Sequence, residues 1–138
     1  MSSVKRPASS ADARGRIDTD SLLQLAAAAA SEVKPTSVVH LDLRGLCSFT
    51  DHFLIVSAPS IRQVRAIAER IEERLREEHV RMFHREDDLE ARWILLDYSD
   101  VIIHIFDEEM RLYYDLEGLW ADAPKRELVR RGSSVLSR

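Results

Sequence analysis

A single cysteine, Cys47, occurs among the 138 residues of this chain. One thiol excludes an internal disulfide, and without a cysteine pair the usual start of a zinc site is missing, so the sequence fits a reducing compartment. We interpret Cys47 as a small buried hydrophobe. No stretch approaches the roughly 18 to 20 apolar residues that span a bilayer. The first residues, MSSVKRPASSADARGRID, lack the apolar core of a signal peptide, and a soluble cytoplasmic protein is expected.

The chain also has fewer basic than acidic residues. Lys and Arg total 20 against 24 Asp and Glu, which gives a net charge of −4. General nucleic-acid binding depends on clustered cations that displace counterions from phosphates. The sequence therefore predicts no sequence-specific nucleic-acid binding and no membrane binding, and any partner is expected to be a protein.

The usual catalytic motifs are missing. The sequence contains no GxGxxG, no P-loop and no GxSxG turn, so phosphate cradling and acyl transfer lack their physical apparatus. His79 and His84, close to the acids at 86–88, are the only histidine cluster that invites a metal ion. Their spacing matches no compact ligand pair such as i,i+4. We therefore predict no catalytic residue, no metal site and no cofactor, and the protein is not expected to be an enzyme.

The chain is long enough for one domain that buries roughly two-thirds of its unfolded surface. Residues 1–17 are predicted to be a disordered N-terminal tail and 124–138 a flexible C-terminal tail, which leaves 18–123 as the domain. Its predicted elements are a helix that begins at Asp18 or Asp20 and ends before Pro35, strands at 38–43 and 53–56, a helix capped by Ser60, a short strand at 80–83, an acidic loop at 84–92, a hairpin of 93–96 and 101–106, and a helix from Asp107 to Gly118. This order predicts an α/β fold with a small mixed β-sheet and helices packed on it.

Carboxylates and aromatic side chains are concentrated in residues 93–120, WILLDYSDVIIHIFDEEMRLYYDLEGLW. Two apolar runs on either side of the short polar DYSD predict a β-hairpin. His104 interrupts the second run, and we interpret it as a hydrogen-bonded core or interface residue. The alternative is a general base that pairs with Asp97 or Asp100 across the hairpin. A surface with this composition suits a basic protein partner.

The last predicted helix has two faces. One face is predicted to be ordinary core and consists of Leu112, Tyr113 and Leu116. The other face has the composition of a recognition patch and consists of Met110, Tyr114 and Glu117. Half-buried packing of this second face is the alternative.

Two segments of the sequence resemble the ribosomal silencing factors, also called the Iojap family. They read LDLRGLCSFTDHFLIVSAPSIRQVRAIAERI and WILLDYSDVIIHIFDEEMRLYYDLEGLWADAP, in the family's order and spacing. The resemblance implies a nucleotidyltransferase-like topology without transferase activity, often as a homodimer. It further implies binding to the large ribosomal subunit through ribosomal protein L14. There the protein would sterically block joining of the small subunit and repress translation under nutrient limitation.

The resemblance also implies which side chains touch the ribosomal protein. The expected contacts come from the hairpin and the last helix and are Trp93, Tyr98, Asp100, Met110, Tyr114 and Glu117. Weaker candidates nearby are Asp97, His104, Asp107, Glu108 and Arg111. In this scheme the aromatic residues and the methionine supply buried area, and the carboxylates meet Lys or Arg of the partner.

The chain departs from the family pattern at the hairpin turn, where Ser99 replaces the usual glycine. A positive φ there would carry a side-chain penalty. Two other functions stay open: a nucleotidyltransferase-type enzyme that uses Asp97 and Asp100, and a regulatory homodimer with an unrelated protein partner. Such an enzyme usually needs a Gly-Ser turn and paired carboxylates to hold magnesium, whereas residues 57–60 read SAPS and 42–44 supply one acid.

Overall fold

Six strands form one mixed sheet, with helices on both of its faces. The computed structural model describes residues 17–130, so residues 1–16 and 131–138 of the two predicted tails lie outside the described part of the chain. The elements are α1 (Thr19–Ser31), β1 (Ser37–Asp42), β2 (His52–Ala58), α2 (Ile61–Glu77), β3 (His84–Asp87), β4 (Trp93–Asp97), β5 (Val101–Asp107), α3 (Glu108–Tyr114), α4 (Leu116–Leu119) and β6 (Lys125–Arg130). The strand order is β3-β4-β5-β2-β1-β6, in which β2 and β5 are parallel and the other neighbours antiparallel. The predicted α/β class is confirmed; the nucleotidyltransferase-like topology stays a prediction.

Both long helices begin at residues that the sequence predicts. The Asp18 carboxylate accepts a hydrogen bond from the Ser21 amide at 2.9 Å, and the Ser60 hydroxyl accepts one from the Gln63 amide at 3.2 Å. These caps satisfy amides that have no partner within the first helical turn. The buried alanines of α1 lie in the same apolar cluster as the buried face of α2, so the two helices pack closely side by side.

Strand alternation divides the core into two clusters, one on each face of the sheet. In β5, Ile103 and Ile105 belong to the cluster beneath α1 and α2, which we call the helix-covered face. Ile102 and Phe106 belong to the cluster on the opposite side, which we call the second face. Side chains of the segment 108–120 pack against this second cluster. The sheet is therefore buried on one face by two long helices and on the other by short elements.

The strand predicted at 80–83 is wrong, and β3 lies instead inside the predicted acidic loop. The Asp88 carboxylate closes the β3–β4 turn by accepting hydrogen bonds from the amides of Arg92 at 2.7 Å and Trp93 at 3.2 Å. β3 is an outer strand whose side chains are mostly exposed and charged. Hydrophobic periodicity could not reveal it, because backbone pairing with β4 and not burial defines the strand.

The flexible tail predicted from Pro124 is wrong for the residues that form β6. This strand pairs antiparallel with β1, and the backbone carbonyl of Pro124 accepts a hydrogen bond from the Asp42 amide at 2.9 Å. Five of its six residues are exposed, while Val129 packs against the helix-covered cluster. The strand forms on the free backbone edge of β1, so its composition gives little sign of it.

The single helix predicted from Asp107 to Gly118 is interrupted. Asp115 adopts a left-handed conformation with φ of +45°, and its side chain accepts a hydrogen bond from the Gly118 amide at 3.1 Å. A new short helix, α4, therefore starts there. The predicted core face is wrong for Leu112 and Tyr113, which are 80% and 77% exposed, whereas Leu116, beyond the break, packs against the second-face cluster. Helical spacing could not tell which face of α3 meets the sheet, and it grouped Leu116 with the exposed residues because it assumes one unbroken helix through Asp115.

The β4–β5 turn has the conformation that the missing glycine predicts. Ser99 has φ of +77°, a region that costs residues with a side chain about 1 kcal/mol or more. Its amide donates to the Asp97 carboxylate at 2.7 Å, and its carbonyl accepts from the Thr50 hydroxyl at 2.9 Å. Glycine would keep both backbone hydrogen bonds, so Ser99→Gly is expected to raise the free energy of unfolding by about 1 kcal/mol in urea denaturation.

Ser48→Gly is the matched control, because Ser48 is an exposed loop residue outside the positive-φ set. There the same exchange only adds freedom to the unfolded chain and should lower stability slightly. A Ser99→Gly protein no more stable than wild type would contradict strain at this turn.

Candidate docking face

An aromatic cluster lies on the second face at the start of the hairpin. Trp93 of β4 is paired with Phe106 of β5, and their rings are stacked with centroids 5.3 Å apart. Tyr114 of α3 packs on Trp93 at a centroid distance of 4.8 Å, and His104 stacks on Trp93 at 5.9 Å. Phe106 is buried, Trp93 is partly buried and Tyr114 is 41% exposed. These four residues, the aromatic cluster, therefore extend from the core to solvent.

The first turn of α3 is acidic, as predicted, but its carboxylates already have partners. Asp107 caps the helix by accepting from the Met110 amide at 2.8 Å and also accepts from Arg92 Nε at 2.8 Å. Arg92 makes a second ion pair with Glu109, and Glu108 accepts from the Thr36 hydroxyl. Asp107 is buried, whereas the Glu109 side chain is 83% exposed. Asp107 therefore serves the fold. Glu109, which is paired with the residue preceding Trp93, places an exposed carboxylate beside the aromatic cluster, whereas Glu108 is held towards β1.

Arg111 and Glu117 fasten the segment 108–120 to the sheet. Arg111 Nη1 donates to the Ser37 hydroxyl at 2.7 Å and to the Ser57 hydroxyl at 3.2 Å. Its other terminal nitrogen forms an ion pair with Glu117, which also lies 3.5 Å from the ammonium of Lys125. Both side chains of the ion pair are 19% exposed. Their first role is thus structural, since they join α3 and α4 to β1, β2 and β6.

Removing the Arg111 side chain is expected to destabilise the packing of the segment 108–120 on the sheet. Arg111→Ala should lower the free energy of unfolding by about 1 to 3 kcal/mol, because buried hydroxyls and Glu117 lose a charged donor. Hydrogen exchange across 108–119 should accelerate, read by mass spectrometry. Arg62→Ala, at an exposed arginine of α2, is the control and should leave that segment's exchange unchanged. Equal exchange in the two variants would show that Arg111 does not hold α3 in place.

His104 is a buried member of the aromatic cluster, only 5% exposed. Its Nδ1 accepts a hydrogen bond from the Trp93 indole Nε1 at 3.2 Å, while its Nε2 has no hydrogen-bond partner among the described residues. Burial lowers the pKa of His104 to about 4, so the ring is neutral near pH 7. The hydrogen-bonded core interpretation is confirmed, and the alternative pairing with Asp97 or Asp100 is wrong, because both carboxylates lie at the turn end of the hairpin.

Tyr98 lies apart from the aromatic cluster. It is 6% exposed within the helix-covered cluster, and burial raises the pKa of its hydroxyl to about 12. Asp100 accepts a hydrogen bond from the Thr19 hydroxyl at 3.4 Å beside this turn. The turn and Trp93 are separated by the length of β4, roughly 13 Å at the usual rise per residue. The structure therefore brings Trp93, Met110 and Tyr114 together and separates Tyr98 and Asp100 from them.

Several aromatic residues of this face escaped the sequence analysis. Phe53 contacts His104 edge-on with ring centroids 4.5 Å apart, and Trp120 packs on Phe53 at 6.2 Å. Phe106 joins the cluster as the strand partner of Trp93. For Phe106 a signal was available, because alternation places it on the same side of β5 as His104. Phe53 and Trp120 come from other elements, which the hairpin pattern could not bring together.

Other predicted features can also be located. Cys47 is partly buried and packs against the second-face cluster. His84 Nε2 lies 3.4 Å from a carboxylate oxygen of Glu86 on β3. Within residues 17–130, no three His, Cys, Asp or Glu side chains are grouped so that they could share a metal ion. Over the same residues, no helix combines the length and the apolar character needed to cross a membrane.

The fold and this surface define a small α/β domain with one helix-covered sheet face and one face that bears aromatic side chains beside carboxylates. The family model described as ribosomal silencing factor during starvation matches residues 16–136, and the chain belongs to that family. The resemblance noted in the sequence is therefore confirmed.

Individual relatives agree with the family assignment. The ribosomal silencing factor of Bacillus subtilis is 40% identical over 108 residues, which cover 78% of this chain and 92% of the relative. The chloroplastic Iojap protein of Zea mays is 35% identical over 74% of this chain and 44% of its own length. A crystal structure of a Chromobacterium violaceum protein matches with a TM-score of 0.73 and 30% identity, over 76% of this chain and 88% of that one. One from Bacillus halodurans matches with a TM-score of 0.70 and 38% identity, over 80% and 100%.

Proposed function

We propose that this protein is a cytoplasmic, non-catalytic repressor of translation that binds the large ribosomal subunit through ribosomal protein L14. Its bulk then blocks joining of the small subunit when nutrients are limiting. Family membership and relatives named ribosomal silencing factors support this function. The observation that carries the proposal is the partly exposed aromatic cluster with the carboxylate of Glu109 beside it. Homodimer formation, which the resemblance implies, stays a prediction that sedimentation equilibrium of the free protein can test.

The second face offers the chemistry that a basic protein surface would meet. Trp93, Met110 and Tyr114 are partly exposed or packed at its margin, and the neighbouring Leu112 and Tyr113 are large exposed apolar side chains. Contiguous exposed apolar area of this kind marks interaction sites, and central aromatic residues carry most of the binding energy. We propose that these side chains form the centre of the contact.

The acidic residues would act at the rim of this contact. Glu109, paired with Arg92, lies beside the aromatic cluster, where it can meet Lys or Arg of the partner and raise the association rate. Glu108, which is bonded to Thr36 before β1, stays a weaker candidate. Glu117, at the margin of the contact, and Asp100, at the distant hairpin turn, stay candidates for charge contacts. Tyr98 is proposed to support the hairpin from the core and not to touch the partner, since it is buried on the other face of the sheet.

Co-sedimentation with purified large subunits tests the proposal. Trp93→Ala is expected to weaken binding by about 2 kcal/mol, roughly 30-fold in affinity, because truncation removes a central aromatic anchor. Tyr114→Ala should act in the same direction. Phe83→Ala is the matched control, because Phe83 is 71% exposed and its amide bonds to the Asp97 carbonyl at the far end of β4.

Adding small subunits completes the experiment. The wild type should reduce the yield of assembled ribosomes, while a folded Trp93→Ala protein at the same concentration should not. No binding of the folded wild type would refute the proposed function. Binding without any change in subunit joining would refute the steric mechanism and leave the docking.

A further inference from the structure

The indole of Trp93 is held by more than packing. Its ring is stacked on Phe106 with an interplanar angle of 21° and on His104 with one of 28°. Its Nε1–H donates to His104 Nδ1 at 3.2 Å. The hydrogen bond fixes the direction of the indole within the plane that the stacking defines. Both rotatable torsions of this large side chain are thus restrained before any partner arrives.

A histidine at this position lowers the stability of the folded state. A neutral imidazole has one donor and one acceptor nitrogen, so accepting at Nδ1 places the proton on Nε2. That Nε2–H is buried and has no hydrogen-bond partner among the described residues. The rings of Phe53 and Phe106, which pack against His104, are apolar, and an aliphatic residue would bury no unpaired donor. Core packing alone therefore does not account for His104.

We propose that His104 is a positioning residue for docking, whose Nδ1 acceptor orients the Trp93 indole as a rigid anchor for the partner. The inference rests on the proposed function, because it concerns the same contact. A side chain that is already immobile loses little conformational freedom when it is buried by a partner. This small loss of conformational entropy is a main reason why rigid aromatic residues are effective anchors.

The free protein provides the first test, without a ribosome. The imidazole nitrogen spectrum of the wild type, recorded by NMR, should place the proton of His104 on Nε2, and a proton on Nδ1 would overturn the proposal. His104→Leu removes the acceptor, whereas His104→Asn keeps an oxygen close to the place of Nδ1. The order parameter of the Trp93 indole N–H should fall in the leucine variant and recover in the asparagine variant. The Trp120 indole, which packs on Phe53 and has no hydrogen bond to His104, is the internal reference and should change less than that of Trp93.

Binding to purified large subunits provides the second test. The leucine variant should bind about tenfold more weakly than wild type, the change expected when one large side chain must be ordered on binding. The asparagine variant should bind close to wild type. Leucine and asparagine variants with equal affinity, or a Trp93 indole that stays ordered in both, would overturn the role of His104. Failure of the wild type to bind would instead refute the proposed function, while the NMR result would still decide how His104 acts on Trp93.

Discussion

Replacing Phe106 with alanine is expected to lower the free energy of unfolding by about 3 to 5 kcal/mol. Phe106 is 1% exposed, and its ring lies within 6.0 Å, between centroids, of the rings of Trp93, His104 and Tyr114. Truncation would remove a large buried ring and leave a cavity, because neighbouring side chains relax only partly. Urea denaturation followed by tryptophan fluorescence measures the loss.

Phe49→Ala is the matched control for this large effect. Phe49 lies in the β1–β2 loop and is 63% exposed, so its truncation should change stability by less than about 1 kcal/mol. Similar losses in the two variants would contradict the description of the second face as a packed core that supports the aromatic cluster.

Acidification is expected to destabilise the protein through His104. An unfolded histidine takes up a proton below its ordinary pKa of 6.5, whereas burial keeps folded His104 neutral until about pH 4. Above pH 6.5 the ring is neutral in both the folded and the unfolded protein. As the pH falls from 6.5 to about 4, only the unfolded protein gains the proton, so the free energy of unfolding decreases. A pKa difference of this size corresponds to about 3 kcal/mol.

Variants isolate this contribution from other groups with the same sign. Burial also lowers the pKa of His40 and His52, and hydrogen bonds from Arg44 lower the pKa of Asp42 to about 2. These groups are unchanged in His104→Asn. Between pH 7 and pH 4 the free energy of unfolding of this variant should therefore decrease by about 3 kcal/mol less than that of the wild type. His84→Gln, at an exposed histidine, should follow the wild-type curve. Identical curves for all three proteins would contradict a buried neutral His104.

Local chemistry determined which elements the sequence could predict. Asp18 and Ser60 cap their helices within the first turn, and the apolar runs around the DYSD turn pair as a hairpin. Each of these features depends on residues close together in the chain. β3 and β6 depend instead on the free backbone edges of β4 and β1, which exist only after the sheet has formed.

The candidate site shows the same division. Trp93 and Tyr114 come together because the hairpin and the following helix are contiguous in sequence. Strand alternation could have placed Tyr98 on the helix-covered face, since it continues the series of Ile94 and Leu96. The exposure of Leu112 could not be predicted, because it depends on how α3 turns towards the sheet after the buried Asp107.

The charged side chains of β3 and β6 affect how this protein behaves among many copies of itself. Both strands lie at the limits of the sheet, where unpaired amides and carbonyls can recruit another chain into open-ended fibres. Residues 84–87 read HRED and 125–130 read KRELVR, and a bulge between Val38 and Val39 makes the β1–β6 pairing irregular. Bringing such ionic edges together would strip water from charges without burying apolar area. The charged residues that keep β3 and β6 from showing hydrophobic periodicity thus also make uncontrolled polymerisation through these edges unfavourable.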